Sequence, residues 1–389
     1  MITTSAVVGE SAKVSAQRWR AGWQRVHHGR AAAGCRRSAT SLVLAAAVAI
    51  AGQGCVAKVA YEPADLRAAI LRRAPELPPG AVVVPYEVTP QHVEIARRLT
   101  EPYMNPEDQV RALVEGMFSG AGFALGYAAV VTTTAEETIA SRKGNCLALA
   151  SVFVGLARAL GMKAYYLDAS ARVSETSQLA PGIFVNTGHI TAYVELGKKD
   201  RWYLDFDKSL AGVPHDFRII DDMEATAHFY NNRGYERIDA AVVQNQPADW
   251  AAAAQDFSIA AHILPIGRAW NNLGIARARL GQLAEAEAAY REAIDIDPHS
   301  AAAYNNLGGL YLSQGRAKEA LEVIEEAAHL DPLGANTLFN LGRAQLANGD
   351  EKGGHATLER AAKLRDSNAE HMLRKLDLYE HRAETPAPK

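Results

Sequence analysis

The sequence predicts a mixed α+β domain followed by an all-α solenoid, and three observations carry that expectation. The pentapeptide Trp270-Asn-Asn-Leu-Gly274 recurs as Tyr304-Asn-Asn-Leu-Gly308 and as Leu338-Phe-Asn-Leu-Gly342, with a strict period of 34 residues. A period of this length marks helical hairpins stacked side by side. Upstream, Lys143-Gly-Asn-Cys146 opens a nearly continuous apolar run from Leu147 to Leu160, the pattern of a buried helix carrying a thiol at its first turn. Two strand-like segments follow. One is led by Gly188-His189 and the other runs from Arg201 through Trp202-Tyr-Leu to Asp205-Phe-Asp207.

Taken in order, the elements begin with a targeting segment over residues 1–54. Gln17 to Arg37 is basic without an acidic residue, and Leu42 to Ala51 is an apolar run too short to span a bilayer. It ends in Gly52-Gln-Gly54-Cys55, which resembles the lipobox of bacterial lipoproteins, although Gly52 and Gln53 depart from the usual residues. That resemblance implies lipid attachment at Cys55 and a membrane-anchored protein of the bacterial envelope facing the periplasm. Cys35 then leaves with the signal, Cys55 is blocked, and Cys146 is the one free thiol, so no internal disulfide can form.

Residues 55–87 read as a linker, with a helix from Pro63 to Ala74 and breaks at Pro75, Pro78 and Pro79. The mixed domain spans 88–225. Thr89-Pro90 and Asn105-Pro106 each set a capping side chain before a proline at the first helical position, and Thr134-Ala-Glu-Glu137 has the form of a capping box opening a helix that ends at Gly144. The turn-rich stretch from Ala169 to Gly188 suits a loop rimming a cleft. The solenoid spans 226–375 and a tail 376–389.

Cys, His and Asp in this chain order suit nucleophilic acyl chemistry. A thiolate attacks an amide or ester carbonyl, the imidazole takes the thiol proton and returns it to the leaving group, and the carboxylate fixes the tautomer. The N-terminus of a helix favours the thiolate. The segment from about Ala135 to Ser209 resembles the transglutaminase-like superfamily, on the marks Thr134-AEETIASRKGNCLALA, the Arg158-ALGMKAYY that ends the cysteine helix, Gly188-HITAYVEL and Arg201-WYLDFD. The resemblance implies a papain-like fold with Cys146 as nucleophile, His189 as base and Asp205 as orienting acid. Asp207 stays open as the alternative third member. No glutamine lies between Val110 and Asn145 to serve as a side-chain oxyanion donor, which leaves the backbone N–H of Cys146 and an unidentified partner.

The repeat resembles tetratricopeptide (TPR) repeats. Ala286, Tyr290, Ala293 and Pro298 match Ala320, Ile324, Ala327 and Pro332, and the last copy carries Gly354, Leu358, Ala361 and Asp366. Tyr230-Asn-Asn-Arg-Gly234 with the segment from Trp250 to Pro265 forms an earlier, degenerate copy whose connection near Val242 to Asp249 is lengthened, giving about four repeats. The resemblance implies that Asn272, Asn306 and Asn340 stand on the helices lining a concave groove. There they either hydrogen-bond an extended peptide or bond within and between repeats. Arg277 and Arg343 add anion preference under the first reading.

The chain has 389 residues, 48% hydrophobic, with a formal net charge of −3, which gives no electrostatic reason to bind nucleic acid. No zinc-type Cys/His spacing or phosphate loop occurs, so neither a metal nor another cofactor is expected. The expected partners are a peptide or protein in the repeat groove and a membrane through Cys55. The functional expectation is thiol chemistry on peptide or protein amide bonds, hydrolysis more than acyl transfer, with a peptidoglycan peptide as one substrate class. The alternative is a non-catalytic interaction protein in which an inactive fold serves as scaffold.

Overall fold

The computed structural model describes residues 60–384, apart from 76, 130, 169–175, 181–182, 187–189, 197–199, 205, 207–217, 244–247 and 365, together with the strand at 24–25. Cys55, His189, Asp205 and Asp207 therefore lie outside the described residues.

The segment expected to be a linker is instead part of the core. Helix α1 (Pro63–Arg73) buries Leu66 and Ile70, one turn apart on one face, and Val82, Val84 and Tyr86 behind it are buried as well. The prolines turn the chain back onto the domain, and the Tyr86 hydroxyl donates to the Tyr61 carbonyl at 2.9 Å. Helices α2 (Pro90–Thr100) and α3 (Pro106–Phe118) follow. Asn105 caps α3 by accepting from the Glu107 N–H, as its sequence position predicts. Thr89 does not cap α2: its hydroxyl meets His92 Nδ1 at 3.0 Å, and its backbone N–H is taken by Glu136 at 2.6 Å.

The strand β1 is the pair Gln24–Arg25 already noted; β2 (Gly126–Tyr127) and β3 (Lys143–Gly144) pair in parallel around α4 (Ala135–Ser141). The capping box of Thr134 and Glu137 is complete. Helix α4 stops at Ser141 rather than at Gly144, because Arg142 turns left-handed with φ +58° and β3 begins.

Helix α5 (Cys146–Ala159) is followed by β4 (Lys163–Asp168), the hairpin of β5 (Thr176–Ala180) and β6 (Ile183–Asn186), then β7 (Ile190–Leu196), β8 (Asp200–Leu204) and β9 (Arg218–Ile220). The main sheet has the order β1-β8-β7-β4-β9 with antiparallel pairing throughout. The stretch expected to be a rim loop thus contains a strand pair, β5 with β6.

Nine helices complete the described chain: α6 (Asp222–Val243), α7 (Trp250–Ile263), α8 (Gly267–Arg279), α9 (Leu283–Ile296), α10 (Ala301–Ser313), α11 (Ala317–Leu330), α12 (Ala335–Ala347), α13 (Glu351–Lys363) and α14 (Ser367–Glu384). Up to α13 they pack as consecutive antiparallel pairs. The glycine of each first helix lies against one apolar side chain of its partner. A Cβ at Gly274 would fall 2.5 Å from Tyr290, at Gly308 2.1 Å from Ile324 and at Gly342 2.8 Å from Leu358. Gly234 stands in the same relation to Phe257, at 2.8 Å, so the pair α6–α7 is a repeat in register with the others. Helix α14 carries regular structure to Glu384, past the tail boundary expected at residue 376.

The upstream domain and the first helix pair of the solenoid share a hydrophobic core, which runs from Leu66 and Val84 through the α5 face to Phe229 and Tyr230 on α6 and Ile259 and Ile263 on α7, while the later repeats pack around a second cluster that includes Leu273, Tyr290, Leu307 and Ile324. Asp222, fully buried at the start of α6, takes a bidentate pair from Arg158 at 2.7 and 2.8 Å and a third bond from the Tyr61 N–H at 2.8 Å. Arg73 of α1 also donates to the Ile263 carbonyl of α7.

Candidate active site

The chain is held on both sides as it enters α5. The N–H of Gly126 donates to the Arg142 carbonyl and that of Ala128 to the Gly144 carbonyl, each at 2.9 Å. Gly144 must be glycine, since a Cβ there would stand 2.8 Å from the Ala148 Cβ. Asn145 is the N-cap: its Oδ1 accepts from the Ala148 N–H at 3.0 Å and its backbone N–H donates to the Val131 carbonyl at 2.9 Å. Cys146, a free thiol and the one cysteine among the described residues, is partly exposed, while every residue from Leu147 to Ala157 behind it is buried.

Two contacts fix how α5 lies on the sheet. Arg158 Nε donates to the Ala164 carbonyl at 2.8 Å and the Tyr166 hydroxyl to Ser151 Oγ at 2.9 Å. Helix numbers fall as strand numbers rise, so α5 and β4 are antiparallel and the Cys146 end of the helix faces the Asp168 end of the strand. Asp168 pairs with Ile190, the first residue of β7, and Ala192 pairs with Leu204, the last residue of β8. The buried Thr191 hydroxyl donates to the Leu204 carbonyl and ties these two strand ends together. The described neighbours of positions 189 and 205 therefore meet at the end of the sheet that faces the Cys146 end of α5.

A charged cluster that sequence reasoning missed occupies the same end. Arg218 bridges Asp168 at 3.2 Å and Glu224 at 2.7 Å, His228 Nε2 lies 3.9 Å from Glu224, and Arg268 of α8 donates to His228 Nδ1 at 3.1 Å. Accepting on Nδ1 requires neutral imidazole with its proton on Nε2. Burial pushes the His228 pKa down in keeping with this. Burial pushes the Glu224 carboxyl upward, but the bonds from Arg218 and His228 outweigh it and hold the pKa at about 2. No motif marks these residues, because their partners come from β4, β9, α6 and α8.

The repeat asparagines bond between repeats. Asn272 Nδ2 donates to Asn231 Oδ1 at 3.0 Å, Asn306 to Asn271 at 2.9 Å and Asn340 to Asn305 at 3.0 Å. The second Asn of each pair reaches the first Asn of the preceding repeat. Phe339 replaces the first Asn in the last copy, and the ladder ends there. Asn272 and Asn340 are buried and Asn306 is partly exposed. Arg343 donates to Asn340 Oδ1 at 3.1 Å and stacks over Phe339, and burial lowers its pKa.

A papain-like arrangement, with a thiol at the start of a buried helix packed on an antiparallel sheet, joined to helical repeats, is the class these features define. Family comparison agrees: the transglutaminase-like superfamily model matches residues 93–207 and a tetratricopeptide repeat model matches residues 265–331. The chain thus carries a transglutaminase-like domain followed by TPR repeats. No curated protein matches it. Among solved structures, it is similar to YrrB, described as a TPR protein with an unusual peptide-binding site, at 19% identity over 40% of this chain and 78% of that one, with a TM-score of 0.32. It is also similar to MamA, at 18% identity over 39% and 90% of the two chains, with a TM-score of 0.32.

Proposed function

We propose that the protein is a thiol enzyme acting on amide bonds of a peptide or protein, in which Cys146 is the nucleophile, His189 the base and Asp205 the group that orients it. The observation that carries this reading is the partly exposed Cys146 thiol at the first turn of α5, on the helix end that faces the sheet end where β7 begins and β8 stops. The Cys146 thiolate would add to the amide carbonyl carbon, and the C–N bond would break as imidazolium returns a proton to the leaving amine. Water would then cleave the thioester, regenerating the thiol. Hydrolysis is favoured over transfer because no site for an amine acceptor is marked in the sequence.

In this reading the repeats hold the peptide or protein substrate or a partner, with the partly exposed Asn306 offering what the ladder leaves free. Lipid at Cys55 would anchor the protein in a bacterial envelope, facing the periplasm, and the processing it requires would remove β1 with residues 1–54 and leave β8 as the edge of the sheet. The test is the pH dependence of Cys146 alkylation by iodoacetamide in the wild type and in His189→Ala. Reaction that persists well below the free-thiol pKa of about 8.5, and is lost in His189→Ala, supports an assembled pair. An ordinary thiol indifferent to His189 favours the scaffold alternative, to which the missing oxyanion glutamine also points.

A further inference from the structure

The solenoid reaches the nucleophile through a chain of three side chains. Glu236 stands on α6, the first solenoid helix, and both its carboxylate oxygens accept from the Thr132 backbone N–H, at 2.9 and 2.7 Å. Its Oε1 also accepts from the Thr132 hydroxyl at 2.6 Å. That hydroxyl has one proton, now committed to Glu236, so its lone pair faces the other way and accepts from Asn145 Nδ2 at 2.6 Å. The remaining Asn145 oxygen caps α5 through the Ala148 N–H, two residues past the thiol. Thr132 is 2% and Asn145 6% exposed, so the bond between them is shielded from water, while Glu236 at the far end is partly buried.

Polarity runs one way along this chain. The carboxylate orients the hydroxyl, the hydroxyl orients the amide, and the amide sets which atom meets the first turn of α5. An Asn145 amide turned over would aim its NH₂ at the Ala148 N–H, donor against donor, and lose the cap. A charged acceptor at the far end makes the first bond about twice as strong as a neutral one and keeps the sequence from reversing.

We propose that Glu236 and Thr132 are positioning residues for Cys146, so that the first solenoid helix is part of the machinery that presents the thiol. This rests on the reading of Cys146 as nucleophile. A misplacement of about 1 Å in a reacting group can cost about a hundredfold in rate, and an uncapped first turn frays at the residue that carries the thiol.

The experiment measures the Cys146 alkylation rate against pH in the full chain for wild type, Thr132→Val, Thr132→Ser, Glu236→Ala and His189→Ala, with thermal unfolding recorded for each. Valine keeps the threonine shape and removes the hydroxyl, while serine restores it. The expected result is a loss of about tenfold or more in the rate near neutral pH for Thr132→Val and Glu236→Ala, with the profile moved toward that of a free thiol, and recovery in Thr132→Ser. Gly308→Ala, remote on α10, controls for lost stability and should leave the profile unchanged. A wild-type profile retained in folded Thr132→Val and Glu236→Ala overturns the positioning role while leaving the thiol-enzyme reading standing. An ordinary wild-type thiol, unaltered by His189→Ala, overturns both.

Discussion

Asn145 shows how closely a single side chain can tie sequence to chemistry. Its place directly before Cys146 is plain in the sequence, and capping is what asparagine does there. The hydroxyl that fixes its amide belongs to Thr132, inside Val-Val-Thr-Thr-Thr, where nothing separates one threonine from the next. Cys146 stood out in the sequence because a thiol at the head of an apolar run is unusual. Its supports did not, because they depend on which distant element arrives beside them. Glu224 carries the same lesson into titration. With its carboxyl held at about 2 in the fold against an ordinary value of 4.5, its contribution to stability is complete above pH 4.5 and lost as the pH falls toward 2. His228, kept neutral by burial, works in the same direction, since acid must charge it. Urea midpoints measured from pH 2 to 6 are expected to fall more steeply for wild type than for Glu224→Gln, the two curves converging at the acid end. Parallel curves would show that the Arg218 contact contributes nothing.

The repeat helices were the most legible elements, since a period of 34 in the sequence becomes a period in space. Adjacent glycines on α10 separate two roles. A Cβ at Gly308 would meet Ile324 at 2.1 Å, whereas at Gly309 the nearest atom is Asn340 Nδ2 at 4.0 Å. Gly308→Ala should therefore destabilise by about 1–3 kcal/mol, while Gly309→Ala should be neutral or stabilise by up to about 1 kcal/mol through helix propensity. Thermal unfolding of the two variants checks the contrast. The asparagine ladder invites a double-mutant cycle. Asn340→Ala strips the Asn305 oxygen of its donor, and Asn305 Nδ2 is already buried without a hydrogen-bond partner. The single change should cost about 1–3 kcal/mol, and combining it with Asn305→Ala should recover part of that, with a coupling of about 1 kcal/mol. Strict additivity would remove the ladder as a stabilising device. The region before Pro90 was misread because its prolines signal a break in regular structure, and a break is silent about whether the chain leaves the domain or folds back onto it. Leu66 and Ile70, four apart, were the available sign that it folds back.

At the scale of the whole molecule, sequence comparison divides the chain into two modules, whereas packing joins the first repeat to the upstream domain and leaves the later repeats a core of their own. Asp222 opens the first solenoid helix yet is satisfied by Arg158 and Tyr61 of the other half, and breaking such a buried pair by removing one partner costs about 3–5 kcal/mol. A chain ended after Ile220 loses α6 and α7 from the shared core and is expected not to fold. A chain ended after Leu333 keeps three of the helix pairs and should retain the alkylation behaviour of Cys146. Circular dichroism and iodoacetamide labelling of both chains test this, and a soluble, cooperatively folded shorter chain would refute the dependence of the domain on the core it shares with the first repeat. Duplication is how repeat arrays lengthen, and the shared core dictates where this one can accept a new copy. Insertion beside α6 would tear it from Arg158 and Thr132, but a unit spliced in beyond Leu330 would meet only repeat surfaces. An array of this kind can thus vary its reach from the distal end alone, leaving the junction with the thiol domain as its least negotiable part.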